Sequence, residues 1–320
     1  MARKPSKPLV LVLDYDETVT SRDTLALLAR WARADSLAIP PEAVSNHPDL
    51  SGWHAVVDAY LADLAGCKAR QQQQQHFGTH VTLDDYIGAT REVDQRSILR
   101  VSASRVLAGI NRSLIRSKVE CLAASTRDRS GADGDSDGDG RHSFVQPGFS
   151  SFVQAFDRHF PESIYVLSLN WSKDLIQATL SQCGISVASD RILSNDLEFT
   201  SPLEGPASQI STGTIVGDIH NGVDKARKLK ELIAAKGLGT TVVYIGDSAF
   251  LGLSSSDLPC AIAADIGILI RRSSALDVCE RFSIPVADLP RDIGACKQSV
   301  LYVAPDGWRS VGQTMHFTTL

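Results

Sequence analysis

Four apolar runs constrain the fold of this chain more than any other feature of the sequence. They occupy residues 8–13, 163–169, 240–247 and 260–270. Continuous apolar runs of this length are typical of parallel strands that are covered on both faces. Amphipathic segments precede Gly184 and Gly237, and glycine is the residue that often ends a helix. Strands that alternate with helices in this way predict an α/β protein with a parallel sheet.

The first two runs are separated by residues 14–162, which is far more chain than one crossover helix requires. Within this stretch, residues 22–34, 52–69 and 92–125 carry apolar residues at helical spacing. Trp53 and the other aromatic residues of these helices are interpreted as core rather than as a binding surface. We therefore expect an α-helical domain inserted between the first and second strands.

The boundaries of this insertion follow from the same patterns. The predicted core combines residues 1–23 with 145–320, and the predicted helical domain spans 24–126. Residues 127–144 are rich in Gly, Asp and Ser, so we expect a disordered linker there. The five glutamines at 71–75 either extend a helix or form a solvated linker.

Composition excludes several classes of function. A formal net charge of -5 and a pI near 5.9 give no general attraction to nucleic acid or to an anionic membrane. No apolar segment approaches the roughly 20 residues of a membrane span. The six cysteines are scattered without a metal-binding or disulfide pattern. We expect a soluble protein of the cytoplasm, or of the cytoplasm and nucleus. The sequence does not indicate its oligomeric state.

Two carboxylates follow directly on the first apolar run. Asp14 and Asp16 are one residue apart, so their side chains share a side of an extended chain. Ligands of open α/β sheets gather at the carboxyl ends of strands, and neighbouring carboxylates repel unless a cation or proton is supplied. Mg²⁺ would meet that need. A turn that caps the following helix explains the pair equally well, so both interpretations stay open at this point.

Polar groups also follow the second run. Ser168 ends that strand, and Asn170 and Trp171 precede the next helix. A hydroxyl and free N–H groups at a helix N-terminus bind anions, although a simple N-cap explains Ser168 as well. Lys225 lies in the first turn of a later helix, where the helix dipole disfavours a cation. This placement indicates a compensating anion nearby.

The third run ends at Asp247, and Asp257 follows ten residues later. A single acidic residue at a strand end means little. Three strand ends that supply Asp, Ser and Asp, with a lysine on a helix between them, predict a site for a metal-bound phosphate.

Four segments in this order resemble the haloacid dehalogenase-like superfamily: LVLDYDETVT, VLSLNWS, DKARKL, and YIGDS with the later SDLPCAIAADIGI. The sequence is most similar to its phosphoserine-phosphatase-like members and to uncharacterised fungal ones, which carry a helical cap after the first motif. The resemblance covers residues 8–25 and roughly 145–270. It implies a Rossmann-like α/β core with an inserted α-helical cap. It also implies a Mg²⁺-dependent phosphatase acting on a small phosphorylated metabolite.

The resemblance implies roles for individual residues. Asp14 would be the nucleophile that forms an aspartyl-phosphate, Asp16 would be the general acid and base, and Thr18 would shape the loop. The phosphoryl oxygens would be held by Ser168, Asn170 and Lys225. The metal ligands would be Asp14, Asp247 and the main-chain carbonyl of Asp16.

The fourth motif departs from the family pattern. Its second acidic residue normally follows the first much sooner than Asp257 follows Asp247, and residues 249–254 account for the difference. The resemblance therefore assigns Asp257 no firm role. An alternative is a catalytically impaired protein that keeps the fold and acts by binding or regulation, because this insertion lies beside the metal. Dehalogenation is a third hypothesis for the function, but the presence of Asp16 argues against it.

Overall fold

A parallel sheet of seven strands lies at the centre of the fold. In sheet order the strands are β4 (Ile192–Leu193), β3 (Ile164–Leu167), β1 (Leu9–Leu13), β7 (Thr241–Gly246), β8 (Ile266–Leu269), β10 (Leu301–Val303) and β9 (Val286–Asp288). Every neighbouring pair runs parallel. The α/β class with a parallel sheet, which the apolar runs predict, is therefore confirmed, and so is the Rossmann-like core that the resemblance implies.

The computed structural model describes residues 8–36, 50–76, 81–129, 143–201, 209–237, 239–247, 256–270 and 275–315, except for the side chains of 74–76 and 125–129. The insertion at 249–254 and most of the expected linker at 127–144 lie outside these ranges. The described ends of that linker are structured: a helix continues to Arg129, and the Phe144 side chain is buried. The described residues at the two ends of the expected linker thus belong to ordered structure, and the expectation for the residues between them stays a prediction.

Eleven helices accompany the sheet in the described part of the chain. They are α1 (Leu25–Ser36), α2 (Ser51–His76), α3 (Leu83–Gly88), α4 (Arg91–Ser104), α5 (Ile115–Arg129), α6 (Phe149–His159), α7 (Lys173–Gln182), α8 (Gly222–Lys236), α9 (Leu258–Ala263), α10 (Ala275–Arg281) and α11 (Trp308–Thr314). Five of them, α1 to α5, lie between β1 and β3, where the insertion was expected. Among the helices in these ranges, none combines the length and hydropathy of a membrane span.

A second, antiparallel sheet joins the inserted segment to the rest of the chain. It has the order β2 (Ala108–Asn111), β6 (Ile210–Val216), β5 (Asp196–Phe199). Beside it, Arg112 forms a bidentate ion pair with Asp174 at the start of α7, with N–O distances of 2.7 and 3.2 Å. The inserted segment is therefore attached to the rest of the chain through both backbone and side-chain contacts.

Strand β1 is buried on both faces. Leu11 and Leu13 belong to one apolar cluster, and Val10 and Val12 belong to another on the opposite side of the sheet. This alternation is what a strand with an unbroken apolar run produces when helices cover both faces. In the sheet register, Leu13 is opposite Val166 of β3 and Ile245 of β7. The chain therefore leaves three adjacent strands at the same edge.

Three details of the sequence interpretation are wrong. The predicted helix over 92–125 breaks at Arg105, which adopts a left-handed conformation (φ 54°), and strand β2 follows. The run 260–270 begins as helix α9, which Pro259 helps to start, and becomes strand β8 only at Ile266. The segment LYVAPDGW (residues 301–308) suggests an edge strand from its sequence, but β10, which it contains, lies between β8 and β9. Apolar content alone distinguishes neither a short buried helix from a strand nor an inner strand from an edge.

Candidate active site

The ends of three adjacent strands supply the floor of the candidate site. Asp14 directly follows β1, Ser168 directly follows β3, and Asp247 directly follows β7. The sheet order places β1 between the other two strands, so these three side chains come from neighbouring positions at one edge. All three are buried. The convergence predicted for Asp14, Ser168 and Asp247 is therefore present in the fold.

A group of three carboxylates could hold a metal ion. Asp14, Asp247 and Asp257 each offer an oxygen, and these oxygens lie within 4.8 Å of one another. Carboxylate oxygens are the ligands that Mg²⁺ prefers, and three of them around one point fit a hard divalent cation. Asp257, to which the resemblance gives no firm role, thus belongs to the same cluster as the two aspartates predicted as ligands.

Lys225 connects two of these carboxylates. Its ammonium group donates to Asp14 Oδ1 and to Asp257 Oδ1, each at 2.5 Å, and its side chain is 1% exposed. The lysine reaches this position from the first turn of α8, which begins with Asn221 as its N-cap. The position of Lys225 in the first turn of α8 indicated a compensating anion nearby. In the structure that anion is a pair of carboxylates from the protein itself.

Asp257 is held by further contacts. Its Oδ1 accepts a hydrogen bond from the Tyr244 hydroxyl at 2.7 Å, and its Oδ2 accepts one from the backbone N–H of Asp247 at 3.1 Å. Gly246 makes this approach feasible, because a Cβ there would lie 2.5 Å from Asp257 Oδ2. Although residues 248–255 are not described, the two aspartates that flank them are thus in direct contact.

Asp16 is oriented by a separate set of donors. Thr24 donates to its Oδ1 through the backbone N–H at 2.8 Å and through the hydroxyl at 2.6 Å. The side-chain amide of Asn170 donates to Asp16 Oδ2 at 2.8 Å and to the Thr24 hydroxyl oxygen at 2.9 Å. Both amide hydrogens of Asn170 are thereby used within the protein. Its side chain is placed to hold Asp16 rather than to contact the phosphate predicted from the sequence.

Two buried hydroxyls complete the floor. Thr18 donates to Asp14 Oδ2 at 3.2 Å, so the two oxygens of Asp14 are held by Thr18 and Lys225. Ser168 accepts a hydrogen bond from the backbone N–H of Asn170 at 3.1 Å, and it lines the cavity described below. The hydroxyl proton of Ser168 remains available to an acceptor in that cavity.

Burial raises the pKa of both leading carboxyl groups. For Asp14, burial and the charge of Asp257 raise the pKa to about 7 against the opposing effect of Lys225. For Asp16, burial and the charge of Asp23 raise the pKa to about 7, although the bonds from Asn170 and Thr24 oppose the shift. Burial lowers the pKa of Lys225, but the two carboxylates beside it raise the value above its ordinary range. The site thus carries more negative charge than its lysine compensates.

A cavity of about 450 Å³ opens above this floor. Asp14, Asp16, Ser168 and Asp247 line its base, and the inserted helices α2 and α4 form much of its wall. The apolar wall residues include Trp53, Val57, Tyr60, Leu61, Ile98 and Trp171. The assignment of Trp53 to the core alone was therefore incomplete, since sequence spacing does not show which part of a helix faces an opening.

Other residues of the site carry no motif that the sequence interpretation used. Thr24 stands before the apolar residues of α1, where an N-cap is expected, so capping was its visible role. Tyr244 lies within an apolar strand, so its sequence context indicates a core residue. Asp23, Asp94 and His220 line the cavity, but they are remote from one another in sequence.

Comparisons with known proteins give distant relatives. No family model matches the chain. A CTO1 family protein of Schizosaccharomyces pombe is 23% identical over 310 residues, which cover 93% of this chain and 96% of that protein. Cold tolerance protein 1 of Saccharomyces cerevisiae is 22% identical over 251 residues, covering 75% and 73%. The bifunctional TH2 protein, mitochondrial, of Arabidopsis thaliana is 25% identical over 291 residues, covering 84% of this chain and 40% of that protein. These names state no substrate.

Replacing Lys225 by Met should destabilise the metal-free protein strongly. The variant leaves Asp14 and Asp257 buried and facing each other without a cation, and removing one partner of a buried ion pair costs about 3–5 kcal/mol. The measurement is the free energy of unfolding by denaturant at about pH 8, above the raised pKa of Asp14 in the wild-type protein.

Lys228→Met is the matched control. Lys228 lies on the same helix, and its partner Asp218 has a side chain that is 59% exposed, so the loss should stay below about 1 kcal/mol. Equal losses in the two variants would contradict the assignment of Lys225 as the charge that holds the two aspartates.

Proposed function

We propose that this protein is a Mg²⁺-dependent phosphatase that hydrolyses the phosphomonoester of a small molecule. The observation that carries the proposal is the position of Asp14, at the base of a cavity and within one cluster with Asp247, Asp257 and Lys225. The resemblance to haloacid dehalogenase-like phosphatases supports it, because the residues assigned by motif are the ones that converge. Location in the cytoplasm or nucleus stays a prediction.

In the first step, a carboxylate oxygen of Asp14 attacks phosphorus while the bond to the leaving oxygen breaks. Thr18 and Lys225 hold the two oxygens of Asp14, which limits the orientations from which it can attack. Asp16 gives a proton to the leaving oxygen. Because its pKa is raised to about 7, a large fraction of Asp16 is protonated near neutral pH.

In the second step, water attacks the phosphorus of the aspartyl-phosphate. Asp16, now ionised, accepts a proton from that water, the acyl–phosphate bond breaks, and Asp14 is restored as phosphate leaves. Thr24 and Asn170 hold both oxygens of Asp16 and so keep it aimed at the same point in both steps. Ser168 lines the cavity and is available to contact the phosphoryl oxygens, whereas a contact of Lys225 with them stays a prediction.

The residues present fit a magnesium site, since three carboxylate oxygens lie close enough to share one ion. Mg²⁺ held by Asp14, Asp247 and Asp257 would draw negative charge from the phosphoryl oxygens and lower the repulsion between phosphate and carboxylates. The main-chain carbonyl of Asp16 remains a proposed further ligand.

The cavity favours a small leaving group. Its volume of about 450 Å³ and its wall of aliphatic and aromatic side chains suit a compact and largely apolar alcohol rather than a polymer. The inserted helices form this wall, so they would select the substrate, whereas the sheet edge would perform the reaction.

Asp14→Asn should abolish the hydrolysis of p-nitrophenyl phosphate in the presence of Mg²⁺. An amide cannot form the aspartyl-phosphate, so kcat should fall by at least about 10³-fold, as expected when a nucleophile is removed. Asp218→Asn is the control. Asp218 is exposed and pairs with Arg227 of α8, so this variant should keep full activity. Chelation of Mg²⁺ should inactivate the wild-type protein. Comparable rates in Asp14→Asn and wild type would exclude Asp14 as the nucleophile.

The alternative of an impaired binding or regulatory protein rests on residues 249–254, which lie outside the described residues. The contact between the Asp247 backbone and Asp257 favours an intact site, because it brings the two ends of that segment together. Calorimetric titration with Mg²⁺ separates the two functions. Absence of binding at millimolar Mg²⁺ would favour the impaired protein.

Narrowing the cavity at Val57 should weaken substrate binding more than catalysis. Val57 lines the cavity from α2, and Val57→Phe adds a ring to the wall that the inserted helices contribute. We expect KM for p-nitrophenyl phosphate to rise about tenfold with little change in kcat, since displaced apolar contacts act on binding. Leu99→Phe is the matched control, because Leu99 is 69% exposed on α4. A fall in kcat with constant KM would contradict the assignment of Val57 to substrate binding.

A further inference from the structure

The loop after β1 has a conformation that its own sequence does not favour. Glu17 adopts a left-handed backbone (φ 59°), which costs a residue with a Cβ roughly 1–2 kcal/mol. Such a conformation persists when surrounding contacts hold it. Two side chains from distant parts of the chain bind the carbonyls of this loop. Gln146 donates to the Glu17 carbonyl at 2.9 Å, and the Trp308 indole donates to the Thr18 carbonyl at 2.8 Å.

Trp308 is itself fixed by aromatic packing. It begins α11 in the C-terminal part of the chain, and it is 2% exposed. Its ring lies edge-on to Phe149 at 4.9 Å between centroids and tilted against Phe152 at 5.2 Å. Both phenylalanines belong to α6, so the indole N–H is aimed at the loop from a rigid part of the core. Tryptophan has one polar hydrogen, and this contact uses it.

The contact to Thr18 leads directly to the nucleophile of the proposed reaction. The same residue that accepts the Trp308 hydrogen bond at its carbonyl donates its hydroxyl to Asp14 Oδ2 at 3.2 Å. Movement of the Thr18 backbone would therefore move the hydroxyl that holds Asp14. A displacement of about 1 Å at a reacting group can cost 10²-fold in rate.

We propose that Trp308 is a positioning residue, which fixes the attacking carboxylate of Asp14 by holding the backbone of Thr18. This inference rests on the proposed phosphatase function. It gives a role to the C-terminal βα segment, for which the sequence indicates no chemistry and which lies beyond the resemblance to known phosphatases.

The test compares Trp308→Phe with Thr18→Val, separately and combined. Trp308→Phe keeps an aromatic ring but removes the N–H, and Thr18→Val removes the hydroxyl with little change of shape. Each variant should lower kcat about tenfold with KM within about twofold, because a lost hydrogen bond of about 1.4 kcal/mol in the transition state corresponds to that factor. The combined variant should be close to the more impaired single variant, since both act on one contact chain.

Trp31→Phe is the matched control for losing a buried indole. Trp31 is also 2% exposed but packs in α1 against Lys118, so its replacement should leave kcat unchanged. All assays are run well below each variant's melting temperature, so that a loss of stability alone does not lower kcat. Unchanged kcat in Trp308→Phe, or effects that multiply in the combined variant, would overturn the positioning role.

A second measurement does not depend on activity. Amide hydrogen exchange of the peptide that contains residues 14–20 should be faster in Trp308→Phe than in wild type and in Trp31→Phe, because the loop loses an anchor. Absence of phosphatase activity in the wild-type protein would refute the proposed function. Equal exchange rates of this peptide in Trp308→Phe and wild type would instead refute the claim that Trp308 holds the loop.

Discussion

The candidate site depends on one buried ammonium group. Lys225 lies 2.5 Å from a carboxylate oxygen of Asp14 and 2.5 Å from one of Asp257, with almost no exposure to solvent. Two buried carboxylates would otherwise repel each other strongly, because the low dielectric of the interior screens them little. The lysine thus fixes the distance between the end of β1 and the start of α9. It also explains why a lysine occupies the first turn of α8, where the helix dipole disfavours it.

The sheet supplies the remaining geometry. Since β1 lies between β3 and β7, the residues that follow these strands emerge side by side without any special loop. The apolar residues of β1 are buried in clusters on both faces, so β1 is an inner strand and Asp14 follows it between the ends of β3 and β7. The inserted helices contribute the cavity wall, and their attachment through β2 and Arg112 keeps that wall above the strand ends. In the proposed phosphatase, the reaction and the selection of the substrate would therefore depend on different parts of the chain.

The sequence predicts the sheet and the strand-end residues well, because both follow from periodicity and from the rule that ligands gather at carboxyl ends. It names Asp257 but gives it no firm role, since ten residues of separation along the chain do not fix a distance in space. Asn170 shows the converse. Its place after a strand suggests a phosphate contact, but only the fold shows that its two amide hydrogens meet Asp16 and Thr24. The contact of Trp308 is even harder to predict from the sequence, because its partner Thr18 lies almost the whole length of the chain away.

The charges of the site bear on the order of events in the proposed reaction. Three carboxylates and one ammonium leave a net charge of -2 when all four groups are ionised (-3 from Asp14, Asp247 and Asp257, +1 from Lys225). A phosphate ester would meet that charge with repulsion. Burial, and after it the charge of Asp257, raise the pKa of Asp14 to about 7. In the proposed phosphatase, a divalent cation held by these carboxylates would bring the sum to zero and would favour the ionised form of Asp14 that the attack requires. The same ion would therefore lower the repulsion met by the substrate and prepare Asp14 to attack it, so we expect binding of the ion to precede binding of the phosphate.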